Sequence, residues 1–317
     1  MPFKTLTPDR KRIVAGIGLA AMVFFGTAAT QYIDPPPTGA GLAPLAPDIR
    51  PGERLYAGSA AALEAAFARD GYTMDAVRNG APVPRAMLRA LPGWLDDETE
   101  AERRKRLFLK AALPLVLRVN ETIRAQRATL ERLLRRREGG ETLGGRERAW
   151  LARIAAHYRT DPGKPAELRA RVRPIPPSLA LAQAATESGW GSSRFARAGN
   201  ALFGQWTYSE DEGLEPEKRE PGKTHRVKAY GRLIESVWDY ARNLNTNRAY
   251  LGFRETRAQL AADGGRPTGL MLAATLSSYS QKGMEYVWLI QDVIRQNGLD
   301  TLDAARLAPR ETRLAAR

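Results

Sequence analysis

The chain has no cysteine, so disulfides, thiolate metal sites and thiol catalysis are excluded. Histidine is nearly absent too, with only His157 and His225 in 317 residues. A histidine-rich metal centre and a Ser-His-Asp triad are both disfavoured on that count. There is no G-x-S-x-G, and GGETLGGR (139–146) lacks the Lys-Ser/Thr that a phosphate-binding loop uses, so it reads as a connector. Internal repeats are also missing. No metal and no cofactor is therefore expected. Acidic residues are outnumbered: 35 Asp and Glu stand against 49 Lys and Arg, a net charge of +14. Such a chain is drawn to polyanions, whether nucleic acid, anionic lipid or an anionic wall polymer.

The N-terminus narrows that choice. Lys4, Arg10, Lys11 and Arg12 precede IVAGIGLAAMVFFGTAAT (13–30), an uncharged apolar run about long enough to span a hydrocarbon core. Basic residues on its leading side predict that the remainder is exported. Residues 1–33 read as a signal anchor, or as a signal peptide cut near Thr27-Ala28-Ala29. The expected location is the periplasmic face of the inner membrane, or the periplasm if the signal is removed. Residues 34–54, rich in Pro, Gly and Ala without a period, read as an extended spacer.

An Arg-rich helical region (55–145) follows. Residues 57–69 predict a short helix, and 97–137 a helical pattern that Pro114 should kink or divide. Arg135, Arg136 and Arg137 close it, where positive charge suits the helix dipole. Its glutamates are interspersed with its arginines and no nucleic-acid motif is present, so this basic stretch reads as a solvated helix face. RERAWLARIAAHYR (146–159) predicts another helix, with His157 as a packed residue.

The chemistry centres on IPPSLALAQAATESGWG (175–191). The Pro pair suits a helix start, Ser178 is placed to cap it, and Gly189 supplies the stop. Leu179, Gln183 and Glu187 share one stripe, as in a helix buried along its body and opening into a cleft at its end. Glu187 stands in the last turn, where the helix dipole disfavours a carboxylate, and Trp190 nearby is expected to dry it. Both effects raise the pKa, as a general acid near neutral pH requires. The same pattern fits an exposed glutamate at a helix end. Trp190, Phe195, Phe203, Trp206 and Tyr208 cluster after it, as sugar platforms or as core.

The run IPPSLALAQAATESGWGSSRFARAGNALFGQW closely resembles the Bax-like proteins of glycoside hydrolase family 73, the endo-β-N-acetylglucosaminidases. So do VKAYGRLIESVWDYARNLNTNRAYLGFR (227–254) and LSSYSQKGMEYVWLIQDVI (276–294), with VPRAMLRALP and RLFLKAALPLVLRVNETI upstream. The resemblance implies a mainly α-helical, lysozyme-like α+β fold with a small β-hairpin lobe beside the groove. It implies a catalytic domain over 146–302 and cleavage of the β-1,4 bond after N-acetylglucosamine in peptidoglycan. Glu187 falls on the general acid, Tyr279 on an active-site tyrosine and Asp239 on an acid known in relatives. Asn200, Phe203, Gly204 and Trp206 fall on the groove wall; Gln183 and Trp190 are added as substrate-binding candidates. The lobe, 208–230, should supply a second carboxylate. Some relatives carry an acid directly after the lobe histidine where this chain has Arg226, which leaves Glu215, Glu217 and Glu220 as candidates, then Asp211 and Glu212. Assistance by the substrate acetamido group, helped by Tyr279, needs none of them. Two alternatives remain: a lytic transglycosylase, although the Gly-Leu-Met-Gln segment is absent, and a non-catalytic peptidoglycan-binding protein. Residues 303–317 read as a frayed tail.

Overall fold

The computed structural model describes residues 41–47, 59–95, 98–207, 213–215 and 226–309. The expected anchor or signal segment lies outside them. Among the described residues no helix is long and apolar enough to cross a membrane.

Eleven α-helices are described: α1 (Ala60–Arg69), α2 (Met74–Arg78), α3 (Ala101–Glu138), α4 (Gly145–His157), α5 (Pro165–Arg171), α6 (Pro177–Ser188), α7 (Arg194–Gly199), α8 (Leu233–Thr246), α9 (Leu251–Ala262), α10 (Gly269–Ala273) and α11 (Met284–Gln296). Short 3-10 turns stand at Gly93–Leu95, Arg248–Tyr250 and Leu299–Ala304. Ser59 and Thr73 cap α1 and α2 through their hydroxyls.

α3 runs through Pro114 as one helix, so the proline does not divide it. An interior proline costs a helix about 3 kcal/mol. Here Leu113, Pro114, Leu115, Val116 and Leu117 are all buried, and α3 packs on α6 and α8, so apolar burial outweighs that cost. Its arginines meet glutamates in the fold: Arg103 pairs with Glu64, Arg118 with Glu121, and Arg136 with Glu141 and Glu147.

Part of the expected spacer is packed. Trp150 Nε1 donates to the Ala43 carbonyl at 2.7 Å and Gln126 Nε2 to that of Pro44 at 2.8 Å. Leu42 and Leu45 lie against the core. Residues 41–47 thus form a strap over α3 and α4, because two apolar side chains and two indole- and amide-donated bonds hold them there.

α6 is the central helix, flanked by α3, α10, α11 and the 299–304 turn. Its small residues permit the approach. A Cβ on Gly269, at the start of α10, would stand 2.5 Å from the Leu179 nitrogen. Gly269→Ala is therefore expected to cost about 2 kcal/mol, read as a lower urea midpoint at an unchanged slope. Ser178, expected to cap α6, is buried inside its first turn. The cap comes from Asp303, whose Oδ1 accepts from Ser178 N at 2.8 Å and Oδ2 from Gly269 N at 3.0 Å. Asp303 is thus no part of a frayed tail. Val83 N bonds the Arg306 carbonyl, and Ala308 N bonds that of Val83, both at 2.8 Å, so the chain is held through residue 308. Residues 310–317 lie outside the described ones.

The β lobe is a three-stranded antiparallel sheet rather than a lone hairpin. Its order is β1 (Trp206–Thr207), β3 (Arg226–Lys228), β2 (Gly213–Leu214). Val227 faces both Trp206 and Leu214. Arg226, read from sequence as a lost acid, belongs to the central strand.

Candidate active site

The ESGWG turn is built from three consecutive residues at positive φ: Gly189 (58°), Trp190 (58°) and Gly191 (83°). Gly189 ends α6 in the left-handed conformation, as expected of a glycine stop. Gly191 must be glycine on two counts, since an added Cβ would also stand 2.6 Å from Leu95 Cδ2. Trp190 N returns to the Ala185 carbonyl, and Ser188 Oγ, donating to Ala184 O, accepts from Gly191 N.

The left-handed backbone at Trp190 sends its ring to α3. There it meets Phe108 edge-on at 5.9 Å, with Lys105 Nζ 5.6 Å above it. The group on Glu187 is Tyr286, on the buried face of α11, whose hydroxyl donates to Glu187 Oε1 at 2.8 Å. Burial pushes the Glu187 carboxyl upward, opposed by the Tyr286 hydrogen bond and by the charge of Lys282. The direction is the one predicted, with burial as its largest cause.

The α6 stripe goes from fully buried Leu179 and Gln183 to half-buried Glu187. Gln183, expected to bind substrate, is 0% exposed and lies behind the acid. Its Nε2 donates to Tyr286 Oη at 2.9 Å, and its Oε1 accepts from Tyr240 Oη at 2.7 Å. Phe203, expected on the groove wall, is buried as well and stacks on Tyr240 at 3.9 Å. Tyr279 stacks on Tyr286 at 5.3 Å and leans on Tyr250 at 5.8 Å. Burial and the neighbouring Tyr286, Tyr240 and Glu187 push its phenol well above its ordinary value, so at neutral pH it is a protonated donor beside Glu187.

Asp239 belongs to a second cluster. Its Oδ2 accepts from Lys228 Nζ and from Tyr230 Oη, both at 2.9 Å, and so joins β3 to α8. Asn200 closes α7 in the left-handed conformation and donates Nδ2 to the Tyr230 carbonyl at 2.9 Å. Glu215 stands 3.9 Å from Arg226 across the sheet, and its carbonyl accepts from Arg194 at 2.7 Å. Trp206 is 60% exposed on β1. Glu217, Glu220, Asp211 and Glu212 lie outside the described residues. His157 is stacked on Trp238 at 5.0 Å, and burial pulls its pKa down to about 4, as befits a packed neutral ring.

Tyr286 escaped the reading of the sequence. Its signal was its place with Ile290 and Ile294 on one apolar face of α11, because a tyrosine so buried needs a partner for its hydroxyl. A half-buried carboxyl whose pKa is raised by burial, facing phenols at the end of a buried helix, has the setting of a group that gives a proton to a leaving oxygen.

Comparison with known proteins agrees on the class. Residues 163–299 match the glucosaminidase family, described as mannosyl-glycoprotein endo-beta-N-acetylglucosaminidase. Residues 163–299 are thus a glucosaminidase-type domain. It is similar to Protein bax of Escherichia coli (strain K12), 34% identical over 189 residues, which cover 58% of this chain and 66% of that one. Peptidoglycan hydrolase FlgJ of the same organism is 28% identical over 191 residues, covering 54% of this chain and 58% of FlgJ. The matches thus span just under two thirds of the first relative and less of the second. The catalytic domain of the autolysin Auto from Listeria monocytogenes is similar at 19% identity, with a TM-score of 0.31, over 54% of this chain and 97% of that one.

Proposed function

We propose that the protein is an exported peptidoglycan hydrolase with a lysozyme-like arrangement, and that it cleaves the β-1,4 bond after N-acetylglucosamine with Glu187 as general acid. The observation that carries this reading is the half-buried Glu187 at the open end of α6, its pKa raised by burial and its Oε1 held by Tyr286. The name of the relative FlgJ and the match to the glucosaminidase family support the substrate class. The basic balance of the chain suits an anionic wall polymer, and export rests on the apolar run 13–30 behind its basic flank.

In this reading Glu187 gives its proton to the leaving sugar oxygen as the glycosidic bond breaks, and the sugar left behind gains cation-like character. Tyr279, whose ring stacks on Tyr286, donates in this reading to the acetamido group of the sugar. Asp239 is committed to Lys228 and Tyr230, and Glu215 faces Arg226, so of the lobe candidates Glu217 and Glu220 are preferred as the second group, beside the substrate amide. Glu215→Gln is expected to leave turnover within about threefold of wild type, because its carboxylate already faces Arg226. A loss of a hundredfold or more would make Glu215 the second carboxylate.

The exposed Trp206 is the sugar platform. Trp206→Ala is expected to raise KM for glycan about tenfold with kcat nearly unchanged, the signature of a contact equal in ground and transition states. A fall in kcat at constant KM would remove it from that role.

A further inference from the structure

Glu187 is the end of a hydrogen-bond chain that crosses three helices. Tyr240 Oη, on α8, donates to Gln183 Oε1 on α6 at 2.7 Å. Gln183 Nε2 donates to Tyr286 Oη on α11 at 2.9 Å, and Tyr286 Oη donates to Glu187 Oε1 at 2.8 Å. Gln183 and Tyr240 are 0% exposed and Tyr286 is 3% exposed, so water does not compete. The Phe203 ring, parallel to Tyr240 within 7° at 3.9 Å, fixes that phenol in place.

The direction of the chain follows from its two ends. An ionised carboxylate only accepts, so Tyr286 must donate to it. Tyr286 oxygen then accepts from Gln183, which requires the amide nitrogen on that side. The amide oxygen is left facing Tyr240, which must donate. Were the amide turned over, its oxygen would take the Tyr286 proton. Glu187 Oε1 would then lose its donor and could itself carry the acid proton towards Tyr286, away from the groove. With the amide as it stands, Oε1 is kept as an acceptor. The proton of the neutral acid is left to Oε2, which has no hydrogen bond among the described residues.

We propose that Gln183 and Tyr240 are positioning residues that set the direction of this chain and thereby keep the Glu187 proton on Oε2, the oxygen available to substrate. The proposal rests on Glu187 being the acid, but its test requires no turnover. The other groups that face Glu187 are Lys282 before α11, Tyr279 before it in the same loop region, and Tyr250 on the 248–250 turn. Of these only Lys282 is charged near neutrality, and it is left untouched by the substitutions below.

The experiment is an NMR titration of the full chain labelled with 13C at glutamate Cδ, the Glu187 signal being assigned by its loss in Glu187→Gln. Tyr240→Phe frees the amide to turn over, and the Glu187 midpoint is expected to rise by about 0.5–1 pH unit as the Tyr286 donor is drawn away. In a Tyr286→Phe background the same Tyr240→Phe change should shift nothing further, because it acts only through Tyr286. Gln183→Met offers no oxygen to take the Tyr286 proton, so its shift should be smaller than that of Tyr240→Phe, although it alters the core more. A midpoint unmoved by Tyr240→Phe, an equal shift without Tyr286, or a larger shift in Gln183→Met overturns the proposal. In the unsubstituted chain, nuclear Overhauser effects should run from the Gln183 amide protons to the Tyr286 ring. Effects to the Tyr240 ring instead would overturn it however the variants fold. A chain that cleaves no glycan yet passes these tests loses the functional reading and keeps the relay.

Discussion

Glu187→Gln is expected to lower turnover of purified peptidoglycan about a thousandfold at neutral pH, with binding retained. Gln preserves the size of the side chain and an oxygen for Tyr286 to donate to, so the loss reports the missing proton and not a collapsed site. The substitution has a second expected consequence, of opposite sign. Burial holds the Glu187 carboxyl above its ordinary value of 4.5, so the folded chain binds that proton more tightly than the unfolded chain. Its ionisation therefore removes stability as pH rises from about 4.5 through the folded value. Gln does not ionise. The variant should melt above wild type at pH 7, and the difference should close as pH falls below about 4. Thermal melts at the two pH values read this directly. A variant that melts lower at pH 7 would show that Glu187 is a structural carboxylate.

Asp303→Ala is expected to destabilise the fold by about 3 kcal/mol, the largest effect on stability foreseen away from the apolar core. One carboxylate accepts from Ser178 N and Gly269 N, so it caps α6 and α10 together at their closest approach. Its removal leaves two buried N–H groups unpaired, at roughly 1–3 kcal/mol each. The same contact seats the N-terminal end of the helix that carries Glu187 at its other end. Activity of Asp303→Ala should therefore fall on warming well before that of wild type. Urea unfolding that shows a loss below about 1 kcal/mol would contradict this role.

How far the site was legible depended on whether its signals were local. The bounds of α6 were readable, because a Pro pair and a left-handed glycine are punctuation carried by the helix itself. The stripe Leu179, Gln183, Glu187 was readable for the same reason: helical spacing fixes which side chains share a face. Its true cap was not, since Asp303 arrives from 125 residues away and leaves no mark beside Ser178. Pro114 does not divide α3, because the rule for an isolated helix gives way to burial. The Trp190 contact with Phe108 of α3 was not readable, because nearness in sequence does not fix the direction of a ring. Gln183 stood out in the sequence as a polar residue on an apolar helix stripe, and Asp239 through the resemblance to the family. Their partners, Lys228, Tyr230, Tyr240 and Tyr286, come from other elements and were visible only in the fold. Residues 41–47 read as spacer because Pro and Gly carry no period, whereas Trp150 and Gln126 hold them by their carbonyls.

The most direct test of the central claim is digestion of purified peptidoglycan by the full chain, wild type beside Glu187→Gln, with mass spectrometry of the released ends. Wild type should release fragments with reducing N-acetylglucosamine ends, and Glu187→Gln should release essentially none. Anhydro-muramic ends would make the protein a lytic transglycosylase. Binding without release by either form would make it a wall-binding protein, and either result would contradict the account.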